Sequence, residues 1–319
     1  MKRPLLILLV LAASGTAARA QSNPTFTFAK PEDAKVESHQ PPPVEWKAQV
    51  KGGFMMTSGN SQTTNGTVAA VASRKEGNNK LALEGGAAYG RSSVVQANVD
   101  PAMPTEISSI SRTEIQTTNN WIVKGRYDRF FTTNNSGYAS GQAAADKIAG
   151  KSFFGGGQIG YSRQVYKSPL HTAVAEIGYD FSYERYVQTP GKTLDPVAIH
   201  SARLFAGETL KLTPQTGLNA SVEAFLNLNR EGKAVNVSSG APGVDAFHDT
   251  RLVGKLGATT TLFKKLSIGF GFTVRYDQNP APLPIPALAN GATMYAMGFQ
   301  PFAEKVDTLT ELNLIYTFL

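Results

Sequence analysis

The sequence predicts an all-β protein, a transmembrane up-and-down antiparallel β-barrel of about 12 strands with long extracellular loops and short periplasmic turns. Three observations predict it: an export segment at the N-terminus, a period of two in hydrophobicity from Trp46 onward, and connections that are largely short and long by turns. With 319 residues, 41% apolar and 17% charged, the chain is long enough for a large domain and too apolar for disorder. It has no cysteine, which excludes a disulfide framework, a thiolate zinc site and a lipid on an N-terminal cysteine.

Residues 1–20 read as a signal peptide. Lys2 and Arg3 precede an apolar run from Leu5 to Ala13, and Ala18-Arg19-Ala20 then presents small residues two positions apart, so cleavage is expected before Gln21. The run is shorter than the roughly 20 residues a spanning helix needs, and no later stretch reaches that length. Removing Lys2, Arg3 and Arg19 takes the 31 basic residues to 28 against 24 acidic ones, which lowers the net charge from +7 to +4. Such a weak, evenly spread balance gives no reason to expect a nucleic-acid partner.

Residues 21–44 read as a disordered periplasmic linker. Pro24, Pro31 and Pro41-Pro42-Pro43 stand among charged and small residues, with Phe26 and Phe28 as the sizeable apolar groups, too little to bury.

Residues 45–319 carry the barrel. Ala173, Ala175, Ile177, Tyr179, Phe181 and Tyr183 fall on one face, with Glu176, Gly178, Asp180, Ser182 and Glu184 on the other and Val174 as the exception. Leu266, Ile268, Phe270, Phe272, Val274 and Tyr276 alternate with Ser267, Gly269, Gly271, Thr273, Arg275 and Asp277; the stretch from Leu218 to Asn229 does the same. Wound as helices, these segments would scatter their apolar groups around the whole surface. Cutting at turn residues gives strands near 45–58, 63–75, 80–93, 109–131, 137–145, 152–164, 171–186, 200–213, 216–229, 249–262, 266–277 and 305–319. Connections near 94–108, 187–199, 230–248 and 278–304 are long and fall between tight ones, whereas Gly59 to Gln62 and Asp146 to Gly150 are short where long ones were allowed.

A soluble antiparallel sheet also alternates, so the composition of the polar face decides between water and lipid. That face is rich in Gly, Ser, Thr and Asn with charges of both signs, which suits a barrel interior. Closure would pair every backbone group without high overall hydropathy. Trp46, Tyr127, Tyr161, Phe263, Tyr316 and Phe318 fall near the periplasmic strand ends, and Tyr89, Tyr183 and Tyr276 near the outer ends, as two interfacial belts would.

Trp46 to Ser61, with Gly52-Gly53-Phe54 leading into Thr57-Ser58-Gly59-Asn60-Ser61, resembles the opening of the salt-induced outer membrane protein family (YdiY-like), a bacterial family of unknown function. Gly155-Gly156-Gly157-Gln158-Ile159-Gly160-Tyr161 resembles its glycine-rich strand, and Leu314-Ile315-Tyr316-Thr317-Phe318 its closing strand. The resemblance spans about 45–319 and implies an outer-membrane barrel, with outer-membrane lipid and the barrel assembly machinery as partners. It brings no catalytic residues. One departure is that Leu319 follows Phe318 where such barrels end in an aromatic residue, so the assembly signal would be Phe318 or Leu319.

No cofactor is expected. Gly155, Gly157 and Gly160 match the letters of a dinucleotide fingerprint, but that motif works where a strand turns into a helix, and here it lies within a strand. The four histidines, His39, His171, His200 and His248, show no metal-ligand spacing. His200 and His248 fall near the outer rim with Asp195, Asp245 and Asp249 close in sequence, the basis of an alternative reading as an outer-membrane hydrolase. A soluble secreted β-domain binding a small ligand is the second alternative.

The preferred expectation is a non-catalytic outer-membrane barrel, either a narrow pore or an envelope structural or stress-response protein. Its candidate lumen-lining charges are Glu176, Asp180, Glu184, Arg203, Glu223, Arg251, Lys255, Arg275, Asp277 and Glu311, with Lys47, Lys51, Lys124, Arg126, Lys211 and Asp128 on the same inward face. Either they line an aqueous pore or they pair across the lumen and close it; pairing is favoured wherever the lumen is tight, because an unpaired charge in a dry interior costs several kcal/mol.

Overall fold

In the computed structural model, residues 44–57, 63–100, 103–188, 194–232, 243–283 and 302–318 are described. The signal-peptide and linker expectations up to residue 43, the short link at Gly59 to Gln62 and the question of Leu319 lie outside them. Twelve strands follow one another in chain order: β1 (Val44–Thr57), β2 (Thr63–Glu76), β3 (Asn79–Asp100), β4 (Met103–Phe130), β5 (Asn135–Asp146), β6 (Lys151–Lys167), β7 (His171–Tyr186), β8 (Val197–Lys211), β9 (Thr216–Asn227), β10 (Thr250–Phe263), β11 (Leu266–Asp277) and β12 (Val306–Thr317). Each pairs antiparallel with its neighbours in sequence, and β1 closes on β12 from Gln49↔Thr317 to Gly52↔Leu314. The fold is a closed up-and-down antiparallel barrel whose seam, between β1 and β12, is its shortest ladder.

The alternation sets which side faces out. Ile177 is 59% exposed while its neighbour Glu176 is 4% exposed, and Leu312, Leu314, Ile159, Val222 and Leu256 join the outward row. A contiguous apolar exterior of this kind has no place in water and is what an acyl environment demands. Val174 is buried, so the one residue that breaks the pattern on β7 turns inward. Trp46, Tyr127, Tyr161, Phe263, Tyr316 and Phe318 lie exposed at the end that holds both strand termini, and Tyr89 toward the other.

The β2–β3, β4–β5, β6–β7, β8–β9 and β10–β11 turns share the end where β1 begins and β12 finishes. At the β2–β3 turn Gly77 takes φ 53°, which a side chain would resist, and the ladder closes at Glu76↔Asn79. At the opposite end the expected long connection near 94–108 is overturned: β3 and β4 run on as one hairpin to Asp100↔Met103. The backbone there continues the ladder, with Val94, Val95 and Val99 in register opposite Thr113, Arg112 and Ile107, and β-branched residues favour the extended chain. Strands of 22 and 28 residues exceed the 9 to 11 or so that cross a bilayer, so this hairpin stands beyond the rim. β1 also starts one residue earlier than expected, taking Val44 from the linker.

Candidate functional site

The inward charges are held in two different ways. Along the wall formed by β4 to β9 they are paired. Arg126 on β4 donates from Nη2 to Asp128 Oδ1 at 2.7 Å and crosses to Glu176 on β7, from Nη2 to Oε1 at 2.7 Å and from Nη1 to Oε2 at 3.1 Å. Arg203 on β8 donates from Nη1 to the same Glu176 Oε2 at 2.8 Å and through Nε to Glu223 on β9. Ser162 Oγ adds a 2.8 Å bond to Glu176 Oε1. Glu176 thus receives two guanidiniums and a hydroxyl, the degree of satisfaction a buried carboxylate needs to offset its lost hydration.

Tyr138 on β5 completes this belt. Arg126 and Arg203 lie over its ring, at 4.1 Å and 5.5 Å from the centroid, and Arg203 Nη1 donates to its hydroxyl at 2.7 Å. The ring fits because β6 and β7 carry Gly160 and Gly178 beneath it: a Cβ there would come within 2.6 Å and 2.5 Å of the phenol oxygen. Nearer the outer end, Lys151 Nζ donates to Glu184 Oε1 at 2.6 Å, and Asp180 accepts from Gln158 Nε2 at 2.9 Å and Ser182 Oγ at 2.7 Å. Arg251 reaches across from β10, 3.7 Å from Asp180 and 4.0 Å from Glu184.

Above and beside this belt the lumen is not filled. An outer chamber of about 240 Å³ and an inner one of about 330 Å³ both reach Glu84 on β3 and Lys124 on β4, where they meet. Lys47, Lys51, Lys80, Lys124 and Arg126 border the inner chamber against Glu84, Asp128 and Glu311, five basic residues to three acidic and a net of +2. In the outer chamber Asp146, Glu223, Asp277, Glu304 and Asp307 outweigh Lys255, Arg275 and Lys305; with the shared and wall-paired residues its lining holds six basic and eight acidic side chains, a net of −2.

At the outer mouth a segment folds back over the strand ends. Asn227 is fully buried; its Nδ2 donates to the carbonyls of Asn229 and Asp245, both at 3.1 Å, and its Oδ1 accepts from the Asp249 amide at 2.9 Å. Glu231 bridges Val244 through the backbone, and Phe247 takes φ 65° as its amide bonds Asn227 O. Burial, with Asp249 beside it, pushes the Glu231 carboxyl up to about 8, and burial with Asp277 nearby raises Asp249.

Of the residues expected to line the lumen, Glu176, Asp180, Glu184, Arg203, Glu223 and Arg251 fall in the paired clusters, while Lys255, Arg275, Asp277 and Glu311 border the chambers. Lys80 and Glu84 were not singled out although they alternate with outward Leu81 and Leu83, a signal that could have found them. Lys151, Gln158 and Tyr138 were also missed; Tyr138 was hidden in a strand of small residues. The glycine-rich run lies inside β6, with no helix after it. His200 turns outward, bonded through Nδ1 to the Tyr179 hydroxyl and with its ring tilted against Phe181 at 5.2 Å between centroids, and His248 is exposed with Nδ1 3.0 Å from the Ala246 carbonyl.

A family model described as "Protein of unknown function, DUF481" matches residues 50–318. Among curated proteins none matches the sequence. Solved structures with similarity include the NanC porin, at 9% identity over 85% of this chain and 97% of that one with a TM-score of 0.39. The translocator domain of the autotransporter NalP from Neisseria meningitidis has 13% identity over 88% and 90% with a TM-score of 0.40. The outer membrane channel DcaP of Acinetobacter baumannii has 10% identity over 89% and 100% with a TM-score of 0.33.

Proposed function

The chain belongs to the DUF481 family of proteins of unknown function, and we propose that it is an exported, non-catalytic outer-membrane barrel that forms a narrow passive channel through its lumen. The observation that carries this reading is the division of the interior. Pairing consumes the charges of the belt around Glu176, whereas an outer chamber lined mainly from β4 to β11 and an inner chamber lined mainly from β1 to β4 and β9 to β12 stay unfilled and share Glu84 and Lys124. A chain selected only to fill its barrel would pack these chambers as it packs the belt.

The outward apolar row and the aromatic residues at the strand ends support the membrane setting. The outward stance of His200, engaged with Tyr179 on the membrane-facing side, supports a role without turnover. Folded protein in a planar bilayer should give discrete conductance steps of small amplitude, altered by Lys124→Glu. Protein that is demonstrably folded and inserted but gives no steps would remove the channel.

A further inference from the structure

The wall is not equally closed all the way round. The β1–β2 ladder runs the full length of both strands, from Val44↔Glu76 to Thr57↔Thr63, and the β11–β12 ladder runs from Leu266↔Tyr316 to Tyr276↔Val306. Between β1 and β12 the ladder stops at Gly52↔Leu314. Among the described residues, 54–57 of β1 and 308–312 of β12 are thus laddered on one side alone. Val306 stands opposite Tyr276, expected in the outer aromatic belt, so this part of the seam lies below the belt, at the depth of acyl chains. Phe54 and Leu312 flank it, 72% and 69% exposed, and a Cβ on Gly52 would meet nothing within 4 Å. Thr308 and Thr310 are exposed on β12 where the neighbouring β11 presents Val274 and Phe272.

Strand edges are not left facing hydrocarbon; unpartnered backbone is tolerated at that depth only where it is buried in protein or lines a water-filled cavity. The inner chamber provides such a cavity, since Lys51 on β1 and Glu311 and Asn313 on β12 all border it. The way straight out is obstructed. The β11–β12 connection crosses the outer mouth: Pro282 is fully buried, a side chain on Gly150 of the β5–β6 turn would run into its carbonyl, and Ala281 clusters with Tyr186, Leu194, Val197 and Ile199. A bulky solute in the chamber therefore meets a packed cap along the axis and a half-closed seam at its side.

We propose that the outer half of the β1–β12 seam is a lateral portal, through which a single-chain amphiphile passes between the inner chamber and the outer leaflet. The apolar chain stays against Phe54 and Leu312 in the bilayer. A hydroxyl or amide head bonds the unladdered backbone of residues 54–57 and 308–312 and enters the polar chamber, so neither half of the solute is stranded. The portal rests on the channel reading for its unfilled lumen, yet the two fail separately.

Two cysteine pairs in lipid vesicles test the gap. Gly52→Cys with Leu314→Cys, register partners, should form a disulfide on oxidation, whereas Phe54→Cys with Leu312→Cys, the next outward pair of a continuous ladder, should not. The probe for passage is a dodecanol with a diazirine beside its hydroxyl, photolysed in the same vesicles. Wild type should carry adducts on Lys51, Thr67 or Asn313 inside the barrel. Bridging the thiols of the Phe54→Cys, Leu312→Cys protein with a long bifunctional reagent should abolish those adducts and keep those on outward Ile177. Should that variant fail to fold, Leu312→Cys alone, carrying a bulky maleimide, is read the same way. Equal disulfide yield in the two pairs, no lumenal adducts in wild type, or lumenal adducts that survive bridging would overturn the proposal. Lumenal adducts without conductance would keep the portal and remove the ion channel; conductance without them would do the reverse.

Discussion

Replacing Glu176 with Gln tests the paired belt most sharply. The carboxylate is 4% exposed and receives Arg126 at 2.7 Å and 3.1 Å, Arg203 at 2.8 Å and Ser162 at 2.8 Å. Each guanidinium contributes roughly 4 kcal/mol of attraction at about 4 Å charge separation and an effective dielectric near 20, and the desolvation of the carboxylate offsets several kcal/mol of the total. The amide keeps the shape but turns an N–H toward one arginine, so the loss should resemble that of a broken buried pair, about 3–5 kcal/mol. Urea unfolding in detergent reads this through Trp46 and Trp121, which are 55% and 41% exposed on the outward face and report loss of the apolar surroundings. Arg203→Gln alone should cost a similar amount, and the two changes together should cost less than their sum, because they share one interaction. A Glu176→Gln protein within about 1 kcal/mol of wild type, with additive effects in the pair, would refute the reasoning.

Gly156 and Gly254 should respond oppositely to alanine. A Cβ on Gly156 would meet the Phe181 carbonyl oxygen at 1.8 Å and split the β6–β7 ladder, whereas Gly254 has nothing within 4 Å, so heat-modifiable gel migration should be lost for Gly156→Ala and kept for Gly254→Ala. The docked mouth segment should loosen with rising pH. Glu231 faces Asp249, Arg251 and Glu184, with Asp277 beyond, and its carboxyl is raised to about 8. Docking therefore takes up a proton, and its stability is full below the ordinary carboxylate range and is lost as pH climbs to about 8. A nitroxide at position 248 should gain mobility between pH 5 and 9, and Glu231→Gln should abolish that change.

The architecture could be read from the sequence because one physical rule, side-chain alternation against lipid, acts on every strand and leaves the same trace each time. Where a second force acted, the reading slipped. The stretch near 94–108 reads as a long connection, yet its backbone carries the β3–β4 ladder on to Asp100↔Met103. The inward charges were legible one strand at a time, since Glu176, Arg203 and Glu223 stand in phase with glycine and serine. Their partition into a paired belt and two unfilled chambers was not. It depends on which strands face each other across the barrel, and on Tyr138 lying over Gly160 and Gly178, a fit among three strands that no single period displays. The placement of His200 shows the same gap: sequence put it near the rim, and the register opposite Phe181 turned it outward.

A membrane setting requires the row of large apolar side chains to meet acyl chains while the glycine-and-charge row meets the water-filled interior. The absence of cysteine allows single nitroxides at any position, and Phe270 and Gly271 are neighbours on opposite faces of β11, the first 45% exposed and the second bordering the inner chamber. In lipid vesicles the label at 270 should relax strongly with dissolved oxygen and weakly with a water-soluble nickel chelate, and the label at 271 should do the opposite. Equal oxygen accessibility at the two positions would contradict the account.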